Sequence, residues 1–215
     1  MGDCKMPRLG GAVIPMLLNS NIVTYVVGSE ACIEKMQKQS AMKIFSEDVC
    51  GFLDAVAKNI LQMPEAKAYP DVITFAFWCR KASLQQMKRN YLNDELRIGR
   101  GIVFHISPSN VAVNFAYSLV AGLLAGNLNI VRLPSKAFKQ VDLICTAIKI
   151  VLNQEYRFME DYICMVRYGH SKEINDYFSS ICDTRVVWGG DHTIKTLHYL
   201  APLRLSKFLR FPRKD

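Results

Sequence analysis

The chain has 215 residues, of which half are hydrophobic and 21% charged. That is enough apolar material to bury a core in one domain or a domain and a half, and it excludes a disordered or low-complexity chain. The formal net charge of +8 suits polyanionic ligands such as nucleic acid, CoA or the phosphates of NADP, or else a solvated basic face.

Residues 1–28 read as short strands or irregular structure, with a β-rich stretch at 22–27 that stops at Gly28. Residues 30–44 have a helical composition. Ser46 is a good N-cap for a helix with Glu47 and Asp48 in its first turn, and Val49, Phe52, Leu53, Val56, Ile60 and Leu61 recur on one helical face. Pro64 and Pro70 bracket a loop, and Asp71 opens a helix predicted to run through Trp78 to about Tyr91. From Gly101 the pattern becomes strand–helix alternation. Strands are predicted at 102–106, 128–133, 162–166 and 184–188, and helices at 112–125, 138–152, 172–181 and 193–200. Gly126-Asn127 and Gly189-Gly190 act as stops, and Asp191 as a cap. Such alternation implies an α/β fold with a doubly wound, mostly parallel sheet, preceded by an N-terminal helical region.

In such a sheet the turns after the strands gather on one edge, where ligands bind. Three of them carry polar or small residues: Ser107-Pro108-Ser109-Asn110, Pro134-Ser135-Lys136 and Gly189-Gly190-Asp191. The glycines allow close backbone approach, and a helix that follows can hold a phosphate. There is no GxGxxG fingerprint and no GxxxxGK[ST] loop, so a standard Rossmann site or a P-loop is not expected. Asn110 either holds an oxyanion or caps the next helix. His105 reads as a hydrogen-bonded core residue. Trp188 lines the ligand or packs in the core, Arg132 meets the ligand or a surface carboxylate, and Gly189-Gly190 is a phosphate site or a plain turn.

The seven cysteines (4, 32, 50, 79, 145, 164 and 182) are scattered without a CxxC pair. They form neither a zinc site nor a disulfide framework, and they suit a reducing cytoplasm. Cys145, Cys164 and Cys182 read as structural thiols. No apolar run approaches the ~20 residues of a membrane span. The basic clusters, Arg80-Lys81, Lys88-Arg89 and 204–214, are not interleaved with aromatics as a single-strand binder requires. A nucleic-acid partner is therefore the most distant of the alternatives.

The pieces GIVFHISPSNVAVNFAYS, GLLAGNLNIVRLPS and RVVWGGDHTI, spread over about residues 99–197, resemble the cofactor domain of the aldehyde dehydrogenase superfamily. Within it they resemble the LuxC-type acyl-CoA reductases, the fatty-acid reductase component of bacterial bioluminescence and its relatives. The resemblance implies a cofactor domain over 99–215, an N-terminal region over 1–98 packed on it, and a nicotinamide cofactor. Asn110 matches the asparagine that helps hold the oxyanion. Arg132 stands where a lysine contacts the adenosine ribose. Ser135 stands where NAD-preferring members often have a glutamate on the ribose 2′-hydroxyl, so a small neutral residue beside Lys136 favours NADP (NADPH). Ser107, Pro108, Ser109 and Trp188 would line the cofactor, and Gly189 and Gly190 would form the turn near the pyrophosphate and nicotinamide.

The implied reaction is reduction of an acyl-CoA or acyl-protein thioester to an aldehyde through a cysteine thioester, with no metal, in a protein that associates with itself or with acyl-transferring subunits. The family's nucleophilic cysteine lies well after the Gly-Gly turn, whereas no cysteine follows Cys182 here. The expectation is therefore the front part of a longer reductase, inactive alone, with the catalytic-cysteine domain absent. The alternative is a non-catalytic remnant that binds a nucleotide or a partner. In either case the missing domain is expected to leave apolar surface exposed.

Overall fold

The computed structural model describes residues 22–91, 96–189 and the backbone of 207–210. Gly190, Asp191, the helix predicted at 193–200, Cys4 and most of the basic 204–214 segment lie outside the described residues.

Strand β1 (Thr24–Val27) is followed by helices α1 (Glu30–Met36), α2 (Glu47–Gln62), α3 (Pro70–Trp78) and α4 (Lys81–Tyr91). The alternating part then runs β2 (Ile102–Ile106), α5 (Asn114–Leu124), β3 (Leu128–Arg132), α6 (Lys139–Leu152), β4 (Ile163–Arg167), α7 (Lys172–Ile181), β5 (Thr184–Val187) and β6 (Lys207–Arg210). The six strands form one sheet in the order β1-β4-β3-β2-β5-β6. Only β1 is antiparallel, and it pairs with β4. β2 lies between β3 and β5, parallel to both, and β3 runs parallel to β4.

β2 is buried along its whole length, as a central parallel strand covered on both faces must be. Successive residues face opposite layers. Phe104 meets Phe178 of α7, with ring centroids 5.3 Å apart, whereas His105 meets Ser118 of α5 at 2.7 Å. α2 then packs outside α5 and α6, presenting Val49, Phe52, Leu53, Val56 and Ile60 from its buried face. Ser46 caps it, its hydroxyl accepting the Val49 amide at 3.3 Å.

Three boundaries differ from the sequence reading, two of them for a tertiary reason. The helix predicted over 30–44 stops at Met36, because the following backbone is recruited elsewhere. Met42 N–H donates to Gly126 O, Gly99 N–H donates to Met42 O, and Lys43 bridges Ile98. The single helix predicted over 71–91 is two helices, because the buried Asp54 of α2 accepts the Lys81 amide at 2.7 Å and so starts α4 anew. α5 begins at Asn114 rather than near 112, with Val113 at its N-cap position and no capping side chain. Asn110 therefore does not cap it. Strand β6, parallel to β5, has no counterpart among the predicted elements.

Gly126 ends α5 with φ of +79°. Gly126 N–H bonds Leu123 O and Asn127 N–H bonds Gly122 O, the paired closure typical of a glycine-terminated helix. A side chain there would collide with the Met42 carbonyl. Among the described residues Leu96 (77% exposed), Tyr91 (67%) and Ile98 (63%) are the most exposed large apolar side chains, and Tyr91 stacks on Phe45.

Asp54 also pairs with Lys58 at 2.8 Å. Burial alone would raise its carboxyl pKa; the Lys58 ammonium and the Lys81 amide outweigh burial and hold it below the ordinary value. Asp54→Ala is expected to lower the urea midpoint by the equivalent of about 1–2 kcal/mol at unchanged m-value. An unchanged midpoint would show that the α3–α4 break does not depend on this cap.

Candidate functional site

The carboxyl ends of β4, β3, β2 and β5 lie side by side at one sheet edge, because all four strands are parallel. The connections from β2 and β3 lead towards β4, while β5 lies on the other side of β2. The chain thus reverses its winding direction at the β2–β5 boundary, which is where such sheets open a ligand crevice. The turn carrying Ser107, Pro108, Ser109 and Asn110 leaves β2 at this boundary, and Trp188-Gly189 leaves β5 beside it. Asn110 and Ser109 are exposed, and Pro108 and Ser107 half-buried. Arg132 ends β3, with exposed Ser135 and Lys136 just beyond it. The described residues of all three predicted turns therefore share one edge, and Gly190 lies outside the description.

A buried polar relay holds this edge together. Asn129 Nδ2 donates to Asn127 O at 2.7 Å, which leaves Asn129 Oδ1 facing His105 Nε2 at 3.0 Å. An amide oxygen only accepts, so Nε2 carries the proton and Nδ1 accepts from the Ser118 hydroxyl, 2.7 Å away. Ser118 Oγ in turn accepts the Trp188 indole N–H at 3.0 Å. At the other end Asn127 Oδ1 accepts the Arg100 amide at 2.6 Å, and Asn127 Nδ2 donates to Gly122 O. His105 is 1% exposed. Burial lowers its pKa to about 4, with the Asn129 bond pulling slightly the other way. It is a neutral core histidine, as its sequence context indicated. Trp188 is half-buried and is tied to the core through Ser118, at the edge where the parallel strands end. Gly122 makes room for the relay: a Cβ there would overlap Asn129 Oδ1 and come within 3.0 Å of His105 Nε2.

Arg132 does not pair with a carboxylate among the described residues. It donates from Nη2 to Gly169 O at 3.1 Å, and its guanidinium lies over the Tyr168 ring, 4.6 Å from the centroid. Tyr168 is 4% exposed and its hydroxyl donates to Asn175 Oδ1 at 2.7 Å. The turn after β4, Tyr168-Gly169, is thus a fourth part of the edge. Sequence reasoning passed over it, although a tyrosine-glycine pair directly after an apolar strand was a usable signal.

Six cysteines fall within the described residues, and all are buried. Cys182, at the end of α7, donates to Ser179 O, and burial pushes its pKa up to about 11. Cys145 is pushed up to about 12 by burial. Cys182 and Cys145 thus read as packed thiols rather than thiolate nucleophiles. No cluster of metal-binding side chains occurs among the described residues, and no helix there is long and apolar enough to cross a membrane. A cavity of about 430 Å³, lined in part by Gly28, Cys32, Lys35 and Ile163, lies at the opposite edge, where β4 begins. It is therefore separate from the convergent turns.

The family model for acyl-CoA reductase (LuxC) matches residues 34–208, most of the chain. The chain belongs to the LuxC acyl-CoA reductase family. No curated protein matches the sequence. Among solved structures, a NAD-dependent benzaldehyde dehydrogenase from Corynebacterium glutamicum superimposes with a TM-score of 0.61 at 16% identity, over 88% of this chain and 51% of its own. A putative aldehyde dehydrogenase from Burkholderia cenocepacia gives a TM-score of 0.49 at 16% identity, over 82% and 38%. The chain thus spans about half the length of the benzaldehyde dehydrogenase, and the likeness establishes an aldehyde dehydrogenase-type fold. This LuxC-family chain carries that fold with a buried polar relay inside its hydrophobic core.

Two measurements test the relay. His105 is neutral when folded, and its pKa is depressed from 6.5 to about 4, so between those values the unfolded chain binds the extra proton. Stability is expected to be flat above pH 6.5 with respect to this group and to fall as pH drops towards 4. His105→Gln should remove that slope in urea titrations run at several pH values; an unchanged slope would assign it to other groups. Gly122→Ala is expected to cost about 2–4 kcal/mol through broken buried hydrogen bonds and overpacking, read from its thermal and urea unfolding.

Proposed function

We propose that this chain is the cofactor-binding part of an NADPH-dependent acyl-thioester reductase, with residues 1–98 as the region that packs on it. The carrying observation is the convergence on one sheet edge of the Asn110 turn, Arg132 and the Trp188-Gly189 turn, in a member of the LuxC family. The edge suits a polyanionic, hydrogen-bonding ligand. Ser107 Oγ is buried there without a protein partner, and Arg132 is anchored beside it by Tyr168 and Gly169. A buried hydroxyl left without a partner is costly unless a ligand or water satisfies it.

Bound at this edge, a nicotinamide cofactor would supply the hydride for reduction. The protein's own residues do the rest. Arg132 and Lys136 offer positive charge to the adenosine end. Ser135 is small, neutral and exposed, so it leaves room for a 2′-phosphate where a carboxylate would repel one, and this favours NADPH over NADH. Gly189 allows close backbone approach at the β5 end. Asn110, on an exposed turn at the β2 end, is free of helix capping and can donate its side-chain N–H to the oxyanion formed when a thiolate attacks an acyl thioester. One positioned donor of this kind contributes about 3 kcal/mol to such a step. The six described cysteines are all buried, so none of them reads as the attacking thiolate. The cytoplasm is the compartment that fits these reduced thiols, and bioluminescence-type acyl reduction is the biological setting that the family suggests.

Calorimetric titration of the 215-residue chain is expected to show NADPH binding tighter than NADH, with Ser135→Glu reversing the order. No NADPH oxidation is expected when an acyl-CoA is added. Turnover by this chain would overturn the assignment of the nucleophile, and binding of neither cofactor would favour a remnant that serves only as an interaction module.

A further inference from the structure

We infer that Tyr168, held by Asn175, is the positioning residue that presents Arg132 to the phosphorylated adenosine ribose; the inference rests on the NADPH reading above. Four contacts lock the arginine in sequence. Its Nη2 donates to Gly169 O, its guanidinium carbon lies over the Tyr168 ring, the Tyr168 hydroxyl donates to Asn175 Oδ1, and Asn175 is fixed in the first turn of α7, where its backbone N–H bonds Ser171 O. Tyr168 and Asn175 are both more than nine-tenths buried, whereas Arg132 is half-buried and reaches the open edge.

A free arginine samples many rotamers and loses that freedom when it binds an anion. An arginine stacked on an aromatic face, with one nitrogen already bonded to a carbonyl, has lost it beforehand, and its remaining N–H donors lie in a fixed plane. The stacking partner directly follows β4, and the arginine ends the neighbouring β3. Their union therefore depends on the strand register, Arg132 opposite Val166, with Tyr168 two residues on. Burial raises the Tyr168 hydroxyl pKa well above its ordinary value, so the ring stays neutral and its hydroxyl remains a donor to Asn175 across the physiological range. Tyr168 touches the arginine rather than the ligand, so its effect is confined to the charge-specific part of binding.

The test is NADPH and NADH titration of the 215-residue chain with Tyr168→Leu, Tyr168→Phe, Arg132→Met and the double variant Arg132→Met/Tyr168→Leu. Tyr168→Leu should weaken NADPH about tenfold, the scale of ordering one long side chain, and NADH by less than about twofold. Tyr168→Phe keeps the ring face and should retain most of the affinity. The double variant should bind NADPH no more weakly than Arg132→Met alone, because both substitutions remove the same contact. Equal losses for both cofactors, or additivity with Arg132→Met, would mark Tyr168 as a merely structural residue and overturn the inference. Failure of the wild type to bind NADPH would overturn the cofactor reading itself. A readout independent of cofactor separates the two: the Arg132 side-chain protons should be ring-current shifted upfield in the NMR spectrum of the free wild type and not in Tyr168→Leu. Absence of that shift in the wild type would refute the stacked arrangement. Should Tyr168→Leu fail to fold, Tyr168→Met, which keeps the apolar volume without the ring, carries the same expectations.

Discussion

The hydrogen bond between His105 and Asn129 is the contact on which the rest of this sheet depends. Both side chains lie in the interior of neighbouring central strands and are almost wholly buried. An unsatisfied polar group in that position is costly, so every member of the relay needs its partner. The Asn127 carbonyl orients Asn129, Asn129 orients His105, His105 passes the constraint to Ser118, and Ser118 passes it to Trp188. A shift of one residue between β2 and β3 would turn His105 or Asn129 towards α7 and break the chain of bonds. The relay thus specifies register where a purely apolar interior would tolerate slippage.

The consequence reaches the edge where the strands end through Trp188, which ties the end of β5 to α5. At the same edge the β3–β4 register brings Arg132 alongside Tyr168 and Gly169, so the charge there is placed by strand register. The same interior explains why α5 is built of small residues at Gly122 and Ser118: one gives the relay room and the other is a member of it.

Much of the alternating part was legible in the sequence. β2, β3, β5, α6 and α7 begin and end within a residue or so of their predicted limits, because short apolar runs bounded by Gly, Pro, Asn and Ser carry strong local signals. The three turns could be assigned to one edge from the sequence alone, since parallel topology puts them there. Two of the misses share a cause. The end of α1 and the α3–α4 break are set by partners distant in sequence: the Gly126 and Gly99 backbone for Met42 and the Asp54 carboxylate for Lys81. The start of α5 shifts to Asn114 with no side chain capping it. The Tyr168-Gly169 turn carries a local signal, a tyrosine-glycine pair after an apolar strand, but nothing local shows that this aromatic will face an arginine from the neighbouring strand rather than merely fill the core.

The sequence by itself determined the strand–helix alternation, the glycine-marked stops, the family likeness and the chemical types available at the strand ends, because all of these follow from local composition and spacing. Only the tertiary structure decided that His105 is a neutral link in a buried relay, that Asn110 stands clear of the α5 terminus, and that Arg132 is held by an aromatic face. Those outcomes depend on strand order and register, which bring together residues tens of positions apart, and no local pattern encodes which side chains will meet.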